Sequence, residues 1–159
     1  MTGIQLLYPI VWWDMLLRLS LAVLMGGVVG WEREIEEKPA GLRTHMLVSL
    51  GAAMLVMAGI QTGIVQETAD TISRIIQGIV TGIGFLGAGE IFSSSRNESG
   101  TIRIRGLTTA AAIWVSTALG IAAGCGLWLM CLFGAALTLL ILQGLKRIEK
   151  RVLKRRDRS

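Results

Sequence analysis

Charged and hydroxyl side chains gather at the ends of apolar stretches, and the largest such group could bind a cation or form a charge network. Four different stretches contribute its carboxylates, guanidinium groups and hydroxyls. We call this group the polar cluster; its members are Glu32, Arg33, Glu34, Arg43, Thr44, Glu90, Arg105, Thr108 and Thr109. Carboxylate and hydroxyl oxygens suit Mg²⁺, whereas arginines hold carboxylates in bidentate pairs. Because the arginines leave few negative charges for a cation, the composition favours a structural network, with Mg²⁺ binding as the alternative.

Two charge pairs lie near the opposite ends of the stretches. Asp14 precedes Arg18 by four residues, and Asp70 precedes Arg74 by the same interval. Residues four apart share a helix face, so each pair can neutralise itself. Arg18 lies several residues inside an apolar stretch, where a charge at mid-depth costs about 2.5–3.5 kcal/mol. This placement fits either a functional charge or a structural clamp, and both interpretations stay open. His45, beside the polar cluster, is expected to form hydrogen bonds at the membrane interface.

Five apolar stretches position these side chains, and they indicate lipid as the solvent. They are Val11–Trp31, Thr44–Ile60, Ile72–Phe92, Leu107–Ala123 and Leu127–Leu145. A bilayer core of about 30 Å takes about 20 helical residues at about 1.5 Å each. Lipid offers the backbone no hydrogen-bond partner, and the stretches lack strand alternation, so we expect helices. With 52% hydrophobic and 17% charged residues, the sequence predicts an all-α, integral membrane bundle of five transmembrane helices at 1–145 and a basic juxtamembrane tail at 146–159.

Basic residues alternate between the loops and set the predicted orientation. Lys and Arg occur between the first and second stretches, between the third and fourth, and in the tail, but not at 1–10, 61–71 or 124–126. The positive-inside rule then places the N-terminus outside and the C-terminus in the cytoplasm. Much of the net charge of +5 lies in the tail, where it favours contact with anionic membrane lipid. Because no aromatic stacking residues accompany it, the tail does not indicate nucleic acid.

A glycine motif lies within the third stretch. Gly82, Gly84 and Gly87 form GxGxxG, and Gly89 follows. A dinucleotide fold requires this motif after a buried strand, with an acidic residue about 20 positions further on. Here the motif lies inside an apolar run, and Leu107 holds the later position, so we exclude nucleotide binding. The motif instead predicts a smooth face for close helix packing. A broken helix that lines a cavity is the alternative.

Other small residues are also spaced for helix contact. GxxxG pairs occur at Gly26/Gly30, Gly78/Gly82 and Gly120/Gly124. A row of small residues also runs along the fourth stretch at four-residue steps: Thr108, Ala112, Ser116, Gly120 and Gly124. Such rows let helix backbones approach one another, either within one chain or between protomers. They predict a homo-oligomer or a contact with another inner-membrane protein. The sequence contains no catalytic triad, zinc ligand set or Walker loop, so we do not expect an enzyme.

These blocks, taken together and in this order, resemble the MgtC/SapB family of bacterial inner-membrane proteins. The matching blocks are Glu32-Arg33-Glu34, residues 40–48 (AGLRTHMLV), residues 82–89 (GIGFLGAG) and residues 105–111 (RGLTTAA). Carried over by position, the family's motif residues are Glu32, Arg33, Gly41, Arg43, Thr44, Gly82, Gly84, Gly87, Gly89, Arg105, Gly106, Thr108 and Thr109. Many members continue into a soluble C-terminal domain, so the resemblance covers the N-terminal transmembrane domain alone.

The resemblance implies a multi-pass protein of the bacterial inner membrane, linked to growth at low Mg²⁺, to acid or host stress and to virulence. We therefore predict a non-enzymatic regulator that acts on other membrane proteins through helix contacts, with no certain cofactor. The alternative hypothesis is a transporter of Mg²⁺ or another ion. Its membrane-embedded charges would be Glu32, Glu90, Asp14, Asp70 and Arg18.

Overall fold

All the regular secondary structure that can be described is helical. The computed structural model describes residues 10–62, 70–94 and 104–144, and no strand occurs in these ranges. The helices are α1 (Trp12–Ile35), α2 (Leu42–Gln61), α3 (Asp70–Ser94), α4 (Leu107–Gly124) and α5 (Trp128–Leu139), the last continuing into a π-helical turn at Leu140–Gly144. Each of the five predicted stretches overlaps one of these helices along most of its length, which confirms the all-α bundle.

Helices α1 to α4 are long and apolar enough to cross a membrane. The apolar segment Trp128–Gly144 has 17 residues and extends to the last described residue. One helix boundary differs from the prediction. Helix α1 continues past Trp31 to Ile35, so the Glu-Arg-Glu triplet at 32–34 belongs to its last turns and not to a loop. The orientation in the membrane stays a prediction.

Helix α4 lies at the centre of the bundle. It contacts α1, α2, α3 and α5, and 61% of its most apolar 18-residue window is buried, compared with 17% for α3. The buried face of α4 includes Ala112, Ser116, Gly120 and Gly124. These small residues let neighbouring backbones come close. A Cβ added at Gly120, for example, would collide with the backbone of Ser49 on α2.

Two glycines with positive φ shape the ends of α4. Gly106 precedes the helix with φ 83°, and Gly126 follows it with φ 75°, in the left-handed region that favours glycine. Helix α1 runs antiparallel to α4, because Arg33 bonds Thr109 in the first turn of α4 while Arg18 bonds Gly124 at its end. We call the end of the bundle with Arg33 the cluster end, and the end with Arg18 the far end.

Candidate functional site

The centre of the polar cluster is a buried arginine on the last turn of α1. The Arg33 side chain is 4% exposed, and its Nη2 donates to Thr109 Oγ1 on α4 at 3.1 Å. Its Nη1 lies 3.8 Å from Oε2 of Glu32, which is itself only 6% exposed. Adjacent helix residues point in different directions, so this ion pair is long. The structure thus brings together three of the nine predicted members.

Glu90 is the fourth member drawn to this centre. Its side chain on α3 is half-buried, and it acts electrostatically on the Arg33 guanidinium together with Glu32. Carboxylates from α1 and α3 therefore flank one arginine that also bonds α4. This arrangement supports the predicted charge network, because the guanidinium is the group that the carboxylates share.

Glu34 has a role of its own at the start of α2. Its Oε2 accepts a hydrogen bond from the backbone N–H of Leu42 at 2.9 Å. That N–H belongs to the first helical residue, which has no partner within α2, and a carboxylate there also complements the helix dipole. A Cβ added at Gly41 would collide with this carboxylate. Glu34 is therefore a helix cap, and Gly41 leaves room for it.

The remaining members lie on the surface of the cluster end. Arg43 and Thr44 on α2 are exposed, as are Arg105 and Thr108 at the start of α4. Arg105 lies beside the cavity into which Arg33 points, and Thr108 also lines it. The predicted helix ends meet here, with these four side chains exposed.

A second polar contact lies inside the bundle, and its burial was not predicted. His45 is fully buried, and its Nδ1 lies 2.8 Å from Ser116 Oγ on α4. One turn further along α2, Ser49 Oγ donates to the carbonyl of Ala22 on α1 at 2.7 Å. The expected hydrogen bonding of His45 is confirmed, whereas its complete burial between helices was not predicted. The signal was the four-residue spacing of His45 and Ser49, which puts both on one face of α2.

At the far end, Arg18 is a clamp between two helices. Its Nη2 and Nε lie 2.8 Å and 3.0 Å from Asp14 Oδ2, and its Nη1 donates to the carbonyl of Gly124 at 2.9 Å. That carbonyl is at the C-terminal end of α4, where a cation is favourable. The geometry supports the structural interpretation of Arg18. The corresponding Asp70 and Arg74 on α3 are both exposed, and no ion pair joins them.

The described residues do not include a cluster of candidate metal ligands. Within residues 10–62, 70–94 and 104–144, no group of three or more His, Cys, Asp or Glu side chains is placed to hold a metal. Mg²⁺ prefers octahedral oxygen ligands, whereas Glu32 and Glu90 face the positive charge of Arg33.

The glycine motif of α3 faces outward. A Cβ added at Gly78, Gly82, Gly84 or Gly89 would meet no atom within 4 Å, whereas one added at Gly87 would lie 3.7 Å from Ala110 Cβ on α4. The predicted close packing is therefore not made within the chain at four of these positions. The broken-helix alternative is wrong, since α3 is continuous from Asp70 to Ser94.

Comparison with known proteins identifies the family. The model of the MgtC family matches residues 19–151. This chain belongs to the MgtC family. The motif resemblance is thereby confirmed, and with its apolar helices this MgtC-family chain is a multi-pass membrane protein.

Named relatives differ in how much of their length the chain spans. It is 45% identical to Protein SrpB of Synechococcus elongatus over 143 residues, covering 87% of this chain and 79% of SrpB. It is 36% identical to the "putative magnesium transporter YhiD" of Escherichia coli, covering 88% of this chain and 64% of YhiD. It is 40% identical to Protein MgtC of Salmonella typhimurium, covering 70% of this chain and 43% of MgtC. No solved structure matches this MgtC-family chain.

Proposed function

We propose that this MgtC-family protein is a non-enzymatic regulator in the bacterial inner membrane, active during Mg²⁺ scarcity or acid stress. It acts by binding another membrane protein through one face of α3. The observation that carries this proposal is the open glycine face of that helix. Among the described helices, α3 contacts only α2 and α4, so none of the others packs against the rest of its surface.

The geometry of a regular helix separates the two sides of α3. At about 100° per residue, Gly78, Gly82 and Gly89 lie within about 40° of one another, and about 140–180° from Gly87. Gly87 is the position nearest to α4. We call the opposite side, formed by Gly78, Gly82, Phe85 and Gly89, the outward glycine face. Phe85 at its centre is 81% exposed.

This face has the chemistry of a transmembrane contact. Glycines spaced four apart allow another helix to approach until the two backbones nearly touch, which van der Waals contact then stabilises. Apolar lipid chains gain nothing from such a groove, whereas a helix with a complementary ridge does. Exposed aromatics beside the glycines, Phe85 and Phe92, supply side chains that a partner's surface can enclose.

Photocrosslinking in bacterial membranes tests the proposal. Phe85 is replaced by p-benzoylphenylalanine, which has a similar shape and reacts with nearby C–H bonds after irradiation. Phe133 on α5 is the matched control, because it is also an exposed aromatic, at 66%. We expect Phe85 to give a discrete adduct with a second protein, identified by mass spectrometry, and Phe133 to give none. An adduct at about twice 17.2 kDa would show self-association instead, and lipid adducts alone would contradict the proposal.

Transport of Mg²⁺ or another ion is the second candidate function. It is favoured by the burial of Glu32 within a membrane helix and by the printed name of the relative YhiD. Purified protein in sealed liposomes, loaded with a Mg²⁺-sensitive dye, separates the two functions. Regulation through α3 predicts no flux above that of empty liposomes. Transport predicts flux above that of empty liposomes, and Glu32→Gln should abolish it.

A further inference from the structure

Two cavities adjoin at the cluster end, and Glu32 lines both. The polar cavity has a volume of about 950 Å³ and lies between the end of α1, the start of α4 and the π-helical turn. The apolar groove has a volume of about 690 Å³ and lies between α1, α2 and the end of α5. The buried carboxylate of Glu32 therefore lies where the polar cavity meets the apolar groove.

Two buried groups of opposite charge at this junction have unused hydrogen-bonding capacity. Among the described residues, Oε2 of Glu32 and Nε of Arg33 have no hydrogen-bond partner, although each side chain is more than nine-tenths buried. Their mutual ion pair is long, at 3.8 Å, because adjacent residues on a helix diverge. A buried acceptor and a buried donor left in this state cost free energy. A ligand that offers one donor and one acceptor would satisfy both.

The polar cavity is suited to a phosphate as well. Besides Arg33, its lining includes Lys38, Arg105 and Thr108. It also contains the first turn of α4, which follows Gly106 and has no side-chain cap. Free backbone N–H groups at a helix N-terminus bind phosphate readily. The carboxylate of Glu32, on the groove side, is suited to an ammonium group.

The apolar groove has the dimensions of one leaflet of lipid. It follows α1 from Val23 past Gly27 and Trp31 to Glu36, a rise of about 20 Å at about 1.5 Å per residue. That is somewhat more than half of the bilayer core of about 30 Å. Trp31 lies near the charged end of the groove, where aromatic side chains mark the membrane interface. The groove is therefore long enough for an acyl chain whose headgroup lies at Glu32.

We propose that the cluster end binds a zwitterionic aminophospholipid such as phosphatidylethanolamine. Its ammonium group donates to Glu32, its phosphate lies in the polar cavity between Arg33 and the start of α4, and an acyl chain fills the apolar groove. Phosphatidylglycerol lacks the ammonium group. Phosphatidylcholine carries a trimethylated nitrogen that has no N–H to donate. Selectivity for a primary ammonium is the property that distinguishes this site from general contact with lipid.

Native mass spectrometry of the intact chain tests this site. Purified protein is mixed with equal amounts of phosphatidylethanolamine, phosphatidylcholine and phosphatidylglycerol that carry identical acyl chains, and retained lipids are counted. We expect phosphatidylethanolamine to be retained over phosphatidylcholine by about tenfold or more, the usual effect of a charge-assisted hydrogen bond. Glu32→Gln should bring this ratio close to one. The control Asp70→Asn makes the same chemical change at an exposed position of the far end and should keep the ratio.

A second variant tests the groove without altering any charge. A Cβ at Gly27 would lie 3.6 Å from Met46 Cγ, an ordinary contact, so Gly27→Leu fits the fold and fills the groove. It should lose retained adducts of all three lipids. Lipid retention by the native chain and by Gly27→Leu tests the proposal even if Glu32→Gln does not fold. Equal retention of the three lipids by the native chain, or unchanged retention in Gly27→Leu, would overturn the proposal.

Discussion

Helices α1 and α3 carry the same two sequence features and use them differently. Each has an Asp–Arg pair four residues apart near its start and a GxxxG pair further along. In α1, Arg18 clamps the end of α4, and a Cβ at Gly26 or Gly30 would press on α2. In α3, Asp70 and Arg74 are exposed, and Gly78 and Gly82 face open space.

The difference shows what such motifs specify. A GxxxG pair makes one side of a helix smooth, but it does not say which helix will use that side. In α1, the smooth side packs closely against the backbone of α2 in the same chain. In α3 no described residue packs against the smooth side, where we propose a contact outside the chain, while Gly87 alone of that motif faces α4. Three variants test this contrast.

The largest effect is expected from filling the inner glycine face of α1. A Cβ at Gly26 would lie 2.5 Å from the His45 carbonyl oxygen and 2.8 Å from Ser49 Cβ. Gly26→Leu adds a whole side chain there, and overpacking costs about 1–3 kcal/mol or more even where neighbours can shift. We expect no folded protein, measured as the loss of the monodisperse peak in size-exclusion chromatography. Recovery of native amounts would mean that α1 and α2 are not in close contact.

An intermediate effect is expected from removing the far-end clamp. Arg18→Met leaves the Gly124 carbonyl and the Asp14 carboxylate without their partner. Losing such hydrogen bonds typically costs about 1–3 kcal/mol. The free energy of unfolding, measured by reversible SDS titration in mixed micelles, should fall by that amount. Arg74→Met is the matched control and should stay within about 0.5 kcal/mol of the native value; equal losses would remove the contrast between the two pairs.

The smallest effect on stability is expected from filling the outward glycine face. Gly82→Leu places its side chain where no atom lies within 4 Å, and leucine has a higher helix propensity than glycine. The free energy of unfolding should therefore not fall, and should rise by up to about 1 kcal/mol. The same substitution should abolish the crosslink from position 85, because it blocks the approach of another helix. A stable variant that keeps the crosslink would show that the partner binds elsewhere.

Much of the architecture was predictable because it follows from local chemistry. Apolar length predicted the helices, and the alternation of charged helix ends predicted that Glu32, Arg33 and Thr109 would meet. Both kinds of signal can be read along a single segment of chain. The C-terminal end of α1 was harder to predict, since residues 32–34 are charged and yet continue the helix.

The contacts that were not predicted depend on lateral packing. Nothing in the spacing of Gly26/Gly30 and Gly78/Gly82 distinguishes an inner face from an outer one. The burial of His45 depends on Ser116, seventy-one positions away, being its neighbour. Glu34 could have been a network member or a cap, and the turn at Gly41 decides between them. Each outcome depends on which helices are adjacent, and one segment alone does not contain that information.

The helices pack against one another at unequal distances, and this difference sets the order in which they separate. Helices α1, α2 and α4 meet at backbone distance through Gly26, Gly30 and Gly120, so separating any two exposes much tightly packed surface. Helix α3 rests on α4 through ordinary side-chain distances near Gly87 and Ala110. Local stability in proteins follows such differences in packing. On gentle heating or detergent extraction, α3 should detach first and leave α1, α2, α4 and α5 still packed together.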